Sequence, residues 1–108
     1  MAEAMVYITA PNTEEAERIA EKLVADRLCA CVNIIPEIRS VYWWDGAVQK
    51  GSEVALISKT REILVPAVIE AVKAMHSYEV PAIVSWPISR GNPDFLNWIR
   101  DVTRIPPV

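Results

Sequence analysis

The stretch that decides the fold is residues 30–60, ACVNIIPEIRSVYWWDGAVQKGSEVALISKT. Two runs rich in β-branched and aromatic residues flank Asp45-Gly46, and an Asp-Gly pair in that setting is typical of a two-residue type I′ hairpin turn. The sequence therefore predicts one long strand from Ala30 to Trp44 and a returning strand from Ala47 to Thr60.

The length of this hairpin predicts that its tip projects. A strand of 14 residues reaches roughly 45 Å at about 3.3 Å per residue, whereas a 100-residue domain has a radius of gyration near 13 Å. The tip carries Tyr42, Trp43 and Trp44, which we expect another subunit to cover. Trp43 and Trp44 point to opposite faces, so one is expected to enter the core and the other to meet a neighbour. Pro36 predicts a bulge in the first arm or its position at a sheet edge, and Gly51 predicts a bulge in the second arm.

Hydrophobic spacing outside the hairpin predicts two further strands and three helices. Asn92-Pro93-Asp94 marks the start of the last helix, because Asn caps a helix and Pro suits its first position. In order, the predicted elements are a strand at Met5–Thr9, a helix from Asn12 or Thr13 to about Leu28, the hairpin, a helix from about Glu62 to Met75, a strand at Val80–Ile88, a helix with Phe95, Trp98, Ile99 and Val102 inward, and a non-helical tail at Ile105–Val108.

This order, β-α-β-β-α-β with an extra C-terminal helix, predicts the α+β ferredoxin-like fold, an antiparallel sheet with helices on one face. The 108 residues fit a single domain, residues 1–108.

Composition excludes several classes of function. Three glycines cannot supply a G-x-x-x-x-G-K or G-x-G-x-x-G loop for phosphates, and one His with two Cys cannot make a four-ligand zinc site within one chain. A net charge of −3 with scattered basic residues argues against the binding of nucleic acid. Apolar runs are too short for a membrane span, and the start does not resemble a signal peptide. We therefore expect a cytoplasmic protein that binds neither nucleic acid nor membrane.

Three positions are candidates for chemistry, each with a simpler structural interpretation. Cys29-Ala-Cys31 could hold a soft ion such as Cu(I), although two buried thiols at a strand start are the commoner case. His76 could be a metal ligand, an acid or base, or a cap at a helix end. Lys59 could face a partner carboxylate or an anionic ligand, or simply extend to solvent. Glu79 could pair with His76 or Lys59. Catalysis has little support, because no serine lies beside an evident base apart from Ser77 next to His76.

Several ordered motifs resemble the CutA family of divalent-cation tolerance proteins over nearly the whole chain. The matching stretches are Thr9–Pro11, Ala30–Ile34, Ser40–Trp44 with Gly46, Lys59-Thr60, His76–Pro81 (H-x-Y-E-V-P), and Gly91 followed by Phe95–Ile99. The resemblance implies a ferredoxin-like fold, a homotrimer joined through the long strands, and a role in tolerance of copper and other divalent metals. The trimer also resembles the PII signalling proteins, which hold small ligands between subunits.

The resemblance also implies site residues. It assigns His76 as the metal ligand. It implies an intersubunit cleft lined by Cys31, Trp44, Lys59, Tyr78 and Glu79. It also implies a trimer interface formed by Tyr42, Trp43 and Trp44. Ile8 and Met75 stand where copper-binding members carry Cys and His. Copper or another divalent metal ion is therefore expected to bind weakly.

Two functional hypotheses remain. The first is a cytoplasmic homotrimer that binds divalent or copper ions and contributes to metal tolerance without being an enzyme. The second is a PII-like module that binds a small anionic metabolite in the cleft around Lys59, Trp44 and Glu79.

Overall fold

The computed structural model describes residues 2–104, so the predicted tail at Ile105–Val108 lies outside the described residues. The elements are β1 (Glu3–Ala10), α1 (Thr13–Ala25), β2 (Cys31–Trp44), β3 (Ala47–Arg61), a short 3-10 turn (Glu62–Leu64), α2 (Val65–Met75), β4 (Ile83–Pro87) and α3 (Pro93–Val102).

The four strands form one sheet in the order β2-β3-β1-β4, and every neighbouring pair is antiparallel. This is the predicted ferredoxin-like α+β plan. Alternate residues of β1, among them Val6 and Ile8, are fully buried and pack with Ile19 and Leu23 of α1 and Val68 of α2. The period of two in the strand and of 3.6 in the helices therefore builds one core between the sheet and α1 and α2.

Helix α1 begins as predicted but ends earlier. The Asn12 side chain accepts a hydrogen bond from the backbone N–H of Glu15 at 2.8 Å, which caps the first turn. The expected end near Leu28 was wrong, because the helix stops at Ala25 and Arg27 adopts a left-handed φ of 58°. Leu28 is buried because the chain turns back at this point and its N–H donates to the carbonyl of Leu23 at 2.9 Å.

The hairpin turn matches the sequence prediction. Asp45 and Gly46 have φ values of 54° and 76°, as a type I′ turn requires, and Trp44 pairs with Ala47 across the turn. The register shifts between Ile35 and Ile38, which confirms the bulge at Pro36.

The predicted bulge at Gly51 was wrong. Gly51 pairs directly with Ser40, and Ser52 pairs with Arg39 in unbroken register. A single bulge at Pro36-Glu37 already restores the pairing between the two long strands.

The hairpin projects as expected, and the molecule measures 43 × 27 × 23 Å. The expectation that one tryptophan of the tip enters the core was wrong within one chain, since Trp43 is 71% and Trp44 48% exposed. The reason is that the helices cover only the base of the hairpin, so fully buried residues on β3 begin at Val54.

The C-terminal half departs from the sequence prediction at the start of its first helix and in the length of its strand. The segment expected to begin a helix at Glu62 forms a 3-10 turn before α2 starts at Val65. Strand β4 is shorter than predicted, Ile83–Pro87. None of the helices within residues 2–104 is both long enough and apolar enough to cross a membrane.

Helix α3 has the predicted cap, in which the Asn92 side chain accepts from the N–H of Asp94 at 3.0 Å. Ile99 is fully buried, but the inward orientation expected for Phe95 and Trp98 was wrong, because these side chains are 41% and 40% exposed. Their rings stack on each other at the surface, with centroids 5.6 Å apart.

Candidate functional site

A cleft of about 810 Å³ lies between the outer part of the hairpin and the segment that connects α2 to β4. The hairpin contributes a wall beyond its bulge, where the strands have left the cover of the helices. The lining residues combine aromatic, polar and charged side chains: Tyr7, Thr9, Ile38, Arg39, Ser40, Val41, Tyr42, Trp44, Glu53, Ser77, Tyr78, Glu79, Val80 and Ala82.

His76 holds the second wall of the cleft in place. Its Nε2 lies 2.7 Å from the carbonyl oxygen of Thr9, and its Nδ1 accepts the backbone N–H of Tyr78 at 3.0 Å. Because Nδ1 is an acceptor, the hydrogen-bond pattern assigns the ring proton to Nε2, which donates to Thr9. The imidazole is fully buried, so it joins the end of β1 to the segment that carries Tyr78.

Glu15 fixes the same segment from the other side. Its Oε2 accepts both the backbone N–H and the hydroxyl of Ser77 at 3.0 Å and lies 3.4 Å from Nδ1 of His76. Burial alone would raise the pKa of this carboxyl, but the two hydrogen bonds from Ser77 and the nearby positive charge of Arg18 outweigh burial and lower it. Glu15 is therefore a buried carboxylate within the connection that forms the cleft wall.

Tyr78 crosses the cleft to meet the hairpin. Its hydroxyl donates to Oε2 of Glu53 at 2.7 Å. Burial raises the pKa of Tyr78 most, and the bond to Glu53 and the negative charges nearby raise it further. The phenol therefore stays protonated and acts as a donor, which orients the Glu53 carboxylate at the cleft surface.

The residues predicted for the cleft divide into two groups. Trp44, Tyr78 and Glu79 line it together with Tyr42. Cys31 and Lys59 face each other in the β2–β3 register and lie outside the lining of this chain, where the Lys59 ammonium bonds to Asn33. His76 stands behind the cleft wall. Neither Lys59 nor His76 pairs with Glu79 among the ion pairs of the described residues.

The two cysteines have different surroundings. Cys29 precedes β2 and is buried in the core, and Cys31 is half-exposed at the first position of the strand. Burial raises the pKa of the Cys29 thiol to about 12, against the effect of a hydrogen bond with Ser58, and the nearby Cys31 raises it slightly more. Cys29 is therefore a buried thiol in the core, as the simpler interpretation of Cys29-Ala-Cys31 predicts. Within residues 2–104, no group of three or more His, Cys, Asp or Glu side chains is arranged to hold a metal ion.

Sequence reasoning missed Glu15, Arg39 and Glu53 as members of this region. Asn12-x-x-Glu15 has the spacing of a capping box, in which Glu15 would turn back to the N–H of Asn12. The structure instead directs Glu15 to Ser77. For Glu53, the register counted from Asp45-Gly46 gives the pairing with Ile38 without crossing the bulge at Pro36, but it does not show that Tyr78 reaches the same place.

Comparison with known proteins agrees with the family resemblance seen in the sequence, and it covers residues 4–102. The model of the CutA1 divalent ion tolerance protein family matches residues 4–102. The divalent-cation tolerance protein CutA of Archaeoglobus fulgidus is 52% identical over 96 residues, which cover 89% of this chain and 93% of that protein. The chloroplastic protein CutA 1 of Oryza sativa is 49% identical over 100 residues, 93% of this chain.

The chain spans 56% of the length of that rice protein. The crystal structure of CutA1 from Oryza sativa superposes with a TM-score of 0.93 at 47% identity, over 96% of this chain and 95% of that one. The sequence match and the shared fold cover the same residues, and the chain belongs to the CutA1 divalent ion tolerance protein family.

Proposed function

We propose that the chain forms a cytoplasmic homotrimer that binds copper or another divalent cation and contributes to metal tolerance without turnover. Membership of the family supports the role, and the relatives from Archaeoglobus fulgidus and Thermus thermophilus are named as divalent-cation tolerance proteins rather than as enzymes. Two free cysteines suit a reducing compartment.

The trimer is supported by apolar surface that one chain leaves uncovered. The hairpin tip exposes Tyr42, Trp43 and Trp44. On the sheet face opposite α1 and α2, Met5 pairs with Trp86 and Tyr7 with Val84, and these side chains are half-buried or exposed. Surfaces of this kind are typical of interfaces, and closed symmetry covers them in every copy. Light scattering at micromolar concentration tests the assembly, and a monomeric mass would refute it.

The metal site is supported by one observation, the 3.4 Å separation between Nδ1 of His76 and Oε2 of Glu15. Imidazole nitrogen and carboxylate oxygen are both ligands for divalent transition metals. An ion at Nδ1 displaces the N–H of Tyr78, and an ion at Nε2 displaces the carbonyl of Thr9, so binding has to break a hydrogen bond that the free protein makes. That cost agrees with the weak affinity expected from the sequence.

Titration of Cu(II) into the protein and into His76→Ala and Glu15→Gln variants tests this site. We expect the His76→Ala variant to lose most of the binding heat and the Glu15→Gln variant to lose part of it. Glu14→Gln is the matched control, because this carboxylate lies on the exposed side of the same helix turn and its loss should leave the titration unchanged. Identical binding by the protein and His76→Ala would remove His76 as the ligand.

A second candidate function is binding of a small molecule in the cleft, as in the PII-like hypothesis. The volume of about 810 Å³ favours it, because pockets for small organic ligands usually measure roughly 300–1,000 Å³. The thermal unfolding midpoint should then rise in the presence of a suitable organic ligand more than in the presence of metals. The anion expected at Lys59 is less well supported, since that ammonium bonds to Asn33 outside the cleft lining.

A further inference from the structure

The connection between α2 and β4 is fastened to three other elements by three consecutive residues, 76–78. Their side chains and backbone bond to Thr9 of β1, to Glu15 of α1 and to Glu53 of β3. Each of these contacts is made within one chain, so none of them depends on what covers the hairpin tip in an assembly. The position of this connection is therefore set by hydrogen bonds that converge from three directions.

The Nδ1 atom of His76 is the point at which these bonds meet the proposed metal site. It accepts the backbone N–H of Tyr78 at 3.0 Å and lies 3.4 Å from Oε2 of Glu15. The other ring nitrogen, Nε2, carries the proton and lies 2.7 Å from the carbonyl oxygen of Thr9. The imidazole and the carboxylate that could share a cation therefore meet at Nδ1 rather than at Nε2.

A cation at Nδ1 and the hydrogen bond from Tyr78 exclude each other. An unprotonated imidazole nitrogen has one lone pair in the plane of the ring, and the N–H of Tyr78 already uses it. The ring is fully buried and its Nε2 is held by Thr9, so rotation of the ring would break a second hydrogen bond. Occupation of the metal site therefore requires the backbone of Tyr78 to move.

Tyr78 extends this competition to the hairpin. The residue donates through its backbone to His76 and through its hydroxyl to Oε2 of Glu53 at 2.7 Å. Its ring also lies against the imidazole, with centroids 4.7 Å apart. Movement of the Tyr78 backbone away from Nδ1 therefore displaces the phenol relative to Glu53.

We infer that cation binding at Nδ1 of His76 and the Tyr78–Glu53 contact oppose each other, so that occupation of the metal site releases the connection between α2 and β4 from the hairpin. The inference rests on the proposed metal site and adds how that site is regulated. Coupling between two binding events is reciprocal, so a change that weakens the Tyr78–Glu53 contact should strengthen cation binding.

Zn²⁺ is the probe, because it binds imidazole and carboxylate and has a filled d shell that suits NMR. Calorimetry at pH 7 in a non-coordinating buffer measures its affinity, and NMR measures hydrogen exchange at the Tyr78 amide with and without saturating Zn²⁺. We expect this amide to exchange about tenfold faster in the zinc-bound protein, because its buried acceptor is lost.

Two variants separate the coupling from simple electrostatics. Tyr78→Phe keeps the ring and the formal charge but removes the bond to Glu53, and it should bind Zn²⁺ about fivefold more tightly. Glu53→Ala removes the same bond together with a negative charge, and the loss of that charge alone would weaken cation binding. Tighter binding by Glu53→Ala is therefore expected from the coupling and not from the change in charge.

Ser52→Ala is the matched control. Ser52 is exposed and precedes Glu53 on the opposite face of β3, so loss of its hydroxyl should leave the Zn²⁺ affinity unchanged. Circular dichroism confirms that each variant is folded.

Failure of the coupling and failure of the metal site give different results. Zinc binding that is lost in His76→Ala but leaves exchange at the Tyr78 amide unchanged would overturn the coupling and keep the site. An affinity of Tyr78→Phe that is equal to or weaker than that of the unmodified protein would do the same. Equal binding by the unmodified protein and His76→Ala would contradict both the coupling and the metal site on which it rests.

Discussion

The carboxylate of Glu15 accepts two hydrogen bonds from Ser77, which lies 62 residues further along the chain. This contact ties the first turn of α1 to the segment between α2 and β4. The next two links continue in the same direction, from His76 to Tyr78 and from Tyr78 to Glu53 on the hairpin. The cleft wall is therefore positioned by a chain of side chains that starts in the first helix.

Replacement of Glu15 by Ala should lower the free energy of unfolding by about 1.5 kcal/mol, since hydrogen bonds to a charged acceptor are lost. Urea unfolding at one fixed protein concentration measures the change. Glu14→Ala is the matched control on the exposed side of the same helix turn and should cost less than about 0.5 kcal/mol. Equal losses in the two variants would contradict the role of Glu15.

The carboxylate of Glu15 should make the free energy of unfolding depend on pH in the acid range. Burial raises the pKa of Glu15, but the bonds from Ser77 and the charge of Arg18 outweigh burial, so the pKa in the folded protein lies below the ordinary value of 4.5. A carboxylate whose pKa is lower in the folded than in the unfolded protein stabilises the fold at pH values above its unfolded pKa. This stabilisation is lost as the pH falls through the folded pKa.

The unfolding free energy should therefore drop as the pH is lowered from about 5 to 3, and it should drop less in Glu15→Gln, which cannot titrate. Urea titrations at pH 7, 5 and 3 give the comparison. A fall of the same size in both proteins would assign the acid sensitivity to other carboxylates.

Local patterns predicted the fold well because each pattern has a local cause. The turn at Asp45-Gly46 needs only two residues with positive φ, and the cap at Asn12 needs only one side chain. The alternating burial of β1, with Val6 and Ile8 inward, follows from the period of two of any strand. These features do not depend on the rest of the chain, so their sequence signals were reliable.

Features that depend on distant parts of the chain were predicted less well. Phe95 and Trp98 are apolar and helically spaced, yet the sheet lies under only one side of α3, and they remain at the surface of the chain. Glu53 was missed because its place in the cleft requires the arrival of Tyr78 from another element. No sequence spacing contains that information.

Cys29 should be unreactive in the folded protein. Burial raises the pKa of its thiol to about 12, so the thiolate is scarce at pH 8, and the side chain is 1% exposed. In a Cys31→Ser variant, iodoacetamide at pH 8 should leave the native protein unlabelled and add one label in guanidinium, as measured by intact-mass spectrometry. Labelling of the native variant would show that Cys29 is open to solvent.

The two glycines of β3 and its turn should respond differently to Ala. Gly46 has a φ of +76°, which an L side chain rarely adopts, although there is open space around its Cβ position. Gly46→Ala should therefore cost about 1 kcal/mol of stability. Gly51→Ala is the control, because its added Cβ also meets open space and its φ is not in the left-handed region, so no loss is expected from thermal or urea unfolding. An equal loss at both positions would contradict backbone strain as the cause.

Arg27 should hold the end of α3. Its Nε donates to the carbonyl of Val102 at 2.8 Å and its Nη2 to that of Asp101 at 3.3 Å, so a cation caps carbonyls that have no partner within the helix. Arg27→Ala should lower the free energy of unfolding by about 1 kcal/mol and speed amide exchange at residues 99–104, measured by hydrogen–deuterium exchange with mass spectrometry.

Arg27→Lys keeps the charge but has only one donor nitrogen, and it should give an intermediate rate. Arg90→Ala removes an exposed cation outside the helix and should leave these amides unchanged. Because the cap acts only on the last turn of α3, amide exchange in β1 and β3 should not change in any of the three variants. Faster exchange in these strands would mean that Arg27 supports the whole domain rather than the end of one helix.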